Sequence, residues 1–132
     1  MKLYEYDQNN SGGSFESNDE VTYTVYIEAP SESLANKAAE DFAGIYFNGA
    51  DYDGPDCPCC GDRWFQAYDE VDLNGQPLED FLQNKANREL WAEDGDVAVY
   101  HYDYEGNKTA YKKIGNFSFK DLAEDLKRRT IL

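Results

Sequence analysis

Histidine and cysteine, the residues that most often build metal centres and catalytic pairs, are scarce in this 132-residue chain, which has one His, His101, and three Cys, all at positions 57, 59 and 60. A single imidazole excludes metal sites made of several histidines. A nucleophilic pair would have to bring Cys57, Cys59 or Cys60 to His101 across roughly 40 residues. The surrounding alternation Tyr100-His101-Tyr102-Asp103-Tyr104 reads instead as a strand with His101 as a sheet residue. An odd number of clustered thiols excludes a disulfide framework, and a vicinal Cys59-Cys60 bridge would be strained. Long apolar runs are missing, and Met1-Lys2-Leu3-Tyr4-Glu5-Tyr6 reads as a strand with no charged-then-apolar leader. The expectation is a cytoplasmic protein with no membrane partner.

Positive charge is also in short supply. Twelve Lys and Arg face 27 Asp and Glu, a formal net charge of −15. Residues 1–62 hold 13 acidic side chains against Lys2 and Lys37, a net of −11. Affinity for DNA, RNA or anionic lipid comes largely from counterion release by Lys and Arg, so direct nucleic-acid binding is excluded as a working mode. The 11 Tyr, 7 Phe and 2 Trp could stack on bases, but stacking platforms work inside positively charged grooves. The basic run Lys127-Arg128-Arg129 suits the C-terminal end of a last helix. With so many carboxylates nearly every local spacing arises by chance, so no acid–base pair can be singled out and the chain reads as non-enzymatic.

What the chain does have is the stretch Asp56-Cys57-Pro58-Cys59-Cys60-Gly61-Asp62-Arg63-Trp64. Two cysteines three apart, with Pro inside and Gly after, have the form of a zinc knuckle, because Pro presets the turn and Gly lets backbone amides fold toward the thiolates. It is half of a site. A closed zinc site needs four ligands, and Cys57, Cys60, Cys59 and His101 are the candidates inside the chain. The alternative is a tight turn of reduced thiols. Upstream, Asp51, Asp53 and Asp56 alternate as in a calcium loop, but Pro55 and the cysteines stand where the remaining oxygen ligands belong. The loop Asp7 to Ser14 is glycine-rich but has no Lys and opens no helix, so it reads as packing rather than a phosphate cradle.

Periodicity predicts strands at 3–6 and 21–29 and a helix from Ser31 to about Ala43, capped by Ser31, with Leu34, Ala35, Ala38, Ala39 and Phe42 inward and Gly44 as its stop. Ile45-Tyr46-Phe47 reads as a short buried strand and Trp64 to Tyr68 as another extended stretch. A second helix is expected from Pro77 to about Leu90, with Leu78, Phe81, Leu82, Ala86 and Leu90 along one face. A hairpin joins Asp96–Tyr104 to Lys108–Ile114 through Glu105-Gly106-Asn107, and a last helix comes after a cap at Ser118. The fold class is α+β: one domain over 1–132, a mainly antiparallel sheet with about three helices packed on it.

The run Tyr4 to Phe15, containing Asp7-Gln8-Asn9-Asn10-Ser11-Gly12-Gly13-Ser14-Phe15, together with Gly44 to Gly49 and Cys57-Pro58-Cys59-Cys60-Gly61-Asp62-Arg63-Trp64, is similar to a family of small acidic proteins encoded by tailed bacteriophages and prophages. The resemblance covers the first half of the chain. It implies a phage accessory protein acting in the bacterial host, with no activity attached. Two functions stay open. In one, the chain binds and inhibits a bacterial protein with a basic surface, in the limit as a DNA mimic whose carboxylates stand for phosphates. In the other it is a small structural or assembly protein with a zinc-knuckle-like turn, its acidity serving solubility. The expected working surface is the loop from Asn48 to Trp64, where Asp51, Asp53, Asp56 and Asp62 supply steering and Tyr52 and Trp64 the anchors.

Overall fold

The computed structural model describes residues 1–9, 15–51, 54–56, 59, 61–67 and 69–114. Its elements are β1 (Lys2–Asp7), β2 (Thr24–Ala29), α1 (Glu32–Phe42), α2 (Leu78–Asn87), β3 (Val97–Asp103) and β4 (Lys108–Lys112). They form an α+β unit around one four-stranded sheet in the order β1-β2-β3-β4. The outer pairings are antiparallel, but β2 and β3 run parallel, with Thr24 opposite Val99 and Ile27 opposite Tyr102. The sheet is therefore mixed. The third expected helix lies outside the described residues.

The parallel seam explains why β2 departs from simple alternation. Val25 and Ile27 point to one face as the sequence predicts, yet Thr24 and Tyr26 on the other face are buried as well. A strand that pairs on both edges and is covered on both faces has no solvent side. On one face Tyr4, Tyr6, Val25, Ile27, Tyr100 and Tyr102 pack with Ala35, Ala38 and Ala39 of α1. On the other, Leu3, Tyr26 and Val99 pack with Leu82 and Ala86 of α2. One helix thus lies on each side of the sheet.

Helix α1 begins as expected, with the Ser31 side chain accepting from Leu34 N at 3.3 Å, and the chain turns away at Gly44, whose φ of 67° suits glycine. Its buried stripe is narrower than predicted. Only three alanines are buried, while Leu34 and Phe42 are exposed. Phe42 instead lies against the hairpin turn, where a Cβ on Gly106 would sit 2.8 Å from its ring. Pro77 precedes α2 as expected, but the helix ends at Asn87 and Leu90 is exposed beyond it.

Ile45-Tyr46-Phe47 is not a strand. Ile45 and Phe47 are buried in the α1-side core, but the segment joins no sheet, because the place beside β2 is taken by β3 from far along the chain. Residues 64–67 likewise join no strand. The hairpin of β3 and β4 forms as predicted, its turn held by Asp103, whose carboxylate accepts from Glu105 N and Asn107 N at 2.9 Å each.

Candidate functional site

The described residues of the loop expected to carry the site brace one another, and the bracing engages two of the expected charges, Asp56 and Asp62. Asp56 is buried: its Oδ2 accepts from Arg63 N at 2.8 Å, and its Oδ1 lies 3.3 Å from Arg63 Nε and 3.2 Å from the Tyr46 hydroxyl. Arg63 Nη1 also donates to Gln8 Oε1 at 3.2 Å. The Gln8 amide nitrogen in turn donates to Glu16 O and Thr22 O. Asp62 Oδ1 accepts from Ala50 N at 2.7 Å. Backbone packs so tightly here that a Cβ on Gly49 would lie 2.2 Å from Asp56 Oδ2, which is why glycine stands at 49.

Two expectations about this loop are corrected. Trp64 is completely buried in the α1-side core, so it is a core residue and not a partner anchor. Its indole N–H has no hydrogen-bond partner there. Asp56 offers no charge to a partner, because its side chain is enclosed and paired with Arg63. Asp51 is exposed and Asp62 half-buried. Tyr52, Asp53, Cys57 and Cys60 lie outside the described residues, and with them the knuckle; Cys59 is exposed. His101 lies on β3 opposite Tyr26, with Nε2 2.7 Å from Glu28 Oε1 but not aligned as a hydrogen bond. Among the described residues no three His, Cys, Asp or Glu side chains are grouped so as to hold a metal.

Charge and aromatic surface meet elsewhere, along the outer edge of β1. Asn9 N donates to Arg63 O at 2.6 Å and Val71 N to Leu3 O at 2.7 Å, so Arg63 lies beside the end of β1 and Val71 beside its start. Leu3, Glu5 and Asp7 share one face of β1 by the twofold alternation of a strand. In the neighbouring segment Trp64 is buried and Phe65 is left 57% exposed. Phe65 then lines a shallow cleft of about 390 Å³ with Glu5, Asp7 and Asp69. A neighbouring cleft adds Glu28, Glu70 and Asp72, and Val71 borders both.

Glu5 and Asp7 are the chemically distinctive pair. The Tyr26 hydroxyl donates to Glu5 Oε1, and Thr24 Oγ1 donates to Asp7 Oδ1 at 2.7 Å. Asp7 reaches solvent on its outer side. Burial of its inner side, the hydrogen bond to Glu5 and the Glu5 charge push its carboxyl up to about 7, with Thr24 opposing. Burial likewise raises Glu89, against the Trp91 indole N–H that donates to it at 2.7 Å. Burial and then the Glu5 charge raise the Tyr26 hydroxyl. The arrangement holds a proton near neutral pH beside an exposed aromatic ring in an acidic trough.

A model of the family described as a domain of unknown function, DUF7296, matches residues 1–120. The chain belongs to DUF7296. That match spans all four strands and both helices, so the β1 flank and the braced loop are parts of the DUF7296 domain itself. No curated protein and no solved structure matches the chain. In this DUF7296 chain the sequence does not single out Phe65, Glu5, Asp7, Asp69 or Asp72 as site residues. The Glu-x-Asp spacing within a strand does mark two carboxylates on one face. The outward direction of Phe65 has no such signal, because it depends on which of two adjacent aromatics the core accepts.

Proposed function

We propose that the protein is an acidic, non-enzymatic binding module of phage type that docks on a basic surface of a bacterial host protein and inhibits it in the cytoplasm. Phe65 carries the reading: a large ring exposed among Glu5, Asp7 and Asp69, with Glu70 and Asp72 beyond, combines a desolvatable anchor with charges that steer an approaching basic partner. The net charge of −15 and the resemblance to phage-encoded acidic proteins support the same partner class. Where that partner handles nucleic acid, the row of carboxylates occupies the place of a phosphate backbone. The isolated protein is accordingly expected not to bind duplex DNA or single-stranded RNA.

The test is a pull-down from bacterial lysate at low and high salt, and then binding kinetics with the recovered partner. Neutralising Asp69, Glu70 and Asp72 to their amides slows association and flattens its salt dependence, whereas Phe65→Ala chiefly speeds dissociation, by about tenfold or more. Unchanged rates in both variants, or the absence of a stoichiometric partner, refute the reading and leave the acidity as a device for solubility.

A further inference from the structure

The two edges of the sheet are finished differently. At β1 the chain supplies backbone neighbours near both ends of the strand, on Leu3 O and Asn9 N. At β4 it covers one end only. Asp103 N donates to Asn107 O and Lys113 N to Asp96 O, so by the alternation of an antiparallel pair Thr109 and Tyr111 turn their backbone groups toward β3, and Lys108, Ala110 and Lys112 turn theirs outward. Gln83 Nε2 of α2 donates to Lys112 O at 2.8 Å, and Asn87 Oδ1 accepts from Ile114 N at 2.9 Å. Before that closed end, the N–H groups of Lys108, Ala110 and Lys112 and the C=O groups of Lys108 and Ala110 have no partner among the described residues, and all three residues are exposed.

The side chains decide what fits there. Lys108, Ala110 and Lys112 share the face of β4 that carries Tyr100 on β3, and Lys108 Nζ lies 5.2 Å from the centre of the Tyr100 ring while donating to Asp19 O at 2.6 Å. The acidic neighbours are Asp19 beside Lys108, Glu105 at the turn, Glu79 and Glu28 toward Tyr111 on the opposite face, and Asp103, whose carboxylate is committed to the turn amides. Two copies of β4 paired about Ala110 would set Lys108 opposite Lys112 twice and join two chains of net charge −15, so the edge rejects its own kind.

A strand with carboxylates opposite both lysines reverses that sign. Lys108 and Lys112 stand about 13 Å apart along the strand, which four residues of extended chain match and four residues of helix, at about 6 Å, do not. At 0.15 M salt the overall charge reaches only about 8 Å, so an arriving segment responds chiefly to the lysines it touches. We propose that the open edge of β4 takes up an extended segment of another protein as a fifth strand, with two carboxylates four residues apart set opposite Lys108 and Lys112. This edge is the far side of the sheet from β1 and uses neither Phe65 nor Asp69, so it stands or falls apart from the surface for a basic partner.

The experiment follows amide shifts and hydrogen exchange of the full chain as the peptide acetyl-Thr-Glu-Thr-Val-Thr-Glu-Thr-amide is added; its side-chain order reads the same in both directions. In the chain alone the outward amides of Lys108, Ala110 and Lys112 exchange fast. The peptide saturates shifts along β4 with a dissociation constant on the order of 0.1 mM and slows exchange at those three amides, which attraction between charges without backbone pairing would not do. A peptide with Lys in place of both Glu, and one with Pro in place of Val, each bind at least about tenfold more weakly, the first losing the charge match and the second a backbone donor. Lys112→Glu weakens the original peptide by a similar factor without moving the resonances of β1 and β2, and Ala110→Pro, which removes an N–H that faces away from β3, is the second variant. Outward amides already protected in the chain alone, shifts along β4 that depend on protein concentration without peptide, absence of saturable binding, or equal binding of the three peptides overturns the proposal.

Discussion

Trp64 and Phe65 are adjacent in sequence and opposite in environment, one fully buried and the other 57% exposed. Trp64→Ala should therefore cost about 3–5 kcal/mol in urea unfolding, the usual penalty of a large core deletion. Phe65→Ala should fall within about 0.5 kcal/mol of the parent, as exposed substitutions do. In the sequence both rings belong to one extended pair, and inner cannot be told from outer without the grip of Arg63 on Asp56, which sets the phase of the residues after it. Because the Asp56 side chain is enclosed and Arg63 nearly so, Arg63→Met leaves a buried carboxylate short of its countercharge. The expected loss is about 3 kcal/mol, read in the same unfolding experiment. Gly49→Ala attacks the same grip from the other side, since its methyl group would displace Asp56.

At the scale of elements, the parts legible in sequence were those whose pattern is local. Ser31 and Gly44 bracket α1, Pro77 opens α2, and the hairpin declares itself through Glu105-Gly106-Asn107. What was not legible depended on distant pairing: the parallel seam of β2 and β3 displaces the short strand expected at Ile45–Phe47. The outward turn of Leu34 and Phe42 likewise results from how closely three alanines bring α1 to the sheet. Strand β1 also carries a pH response. Its Asp7 carboxyl titrates near 7 when folded and near 3.9 when unfolded, so between those values the folded chain holds a proton that the unfolded chain lacks. Stability therefore falls as pH rises through that window, and the melting temperature should be higher at about pH 5 than at about pH 8. Asp7→Asn should flatten this slope in a pH series of thermal melts, and a slope unchanged by the substitution would remove Asp7 as its source.

For the whole molecule, self-repulsion at net −15 is the dominant long-range force. Salt shortens its reach to about 10 Å at 0.1 M and further above that, so raising sodium chloride to about 0.5 M should raise the melting temperature by several degrees. A melting temperature that falls with salt would show that ion pairs outweigh the excess charge. Among the described residues no helix is long and apolar enough to cross a membrane.

The parallel seam has a consequence for synthesis on the ribosome. Strands β1 and β2 emerge early and can zip together at once, but β3, the partner for the inner edge of β2, begins only at Val97. For the whole of that interval a strand destined to be buried on both faces presents an open edge, the arrangement most prone to pair with another nascent copy. The net charge of −11 over residues 1–62 is concentrated in the part of the chain that must wait. Repulsion between neighbouring nascent chains then keeps that edge single until its own partner arrives, and the acidity acts before the fold is complete.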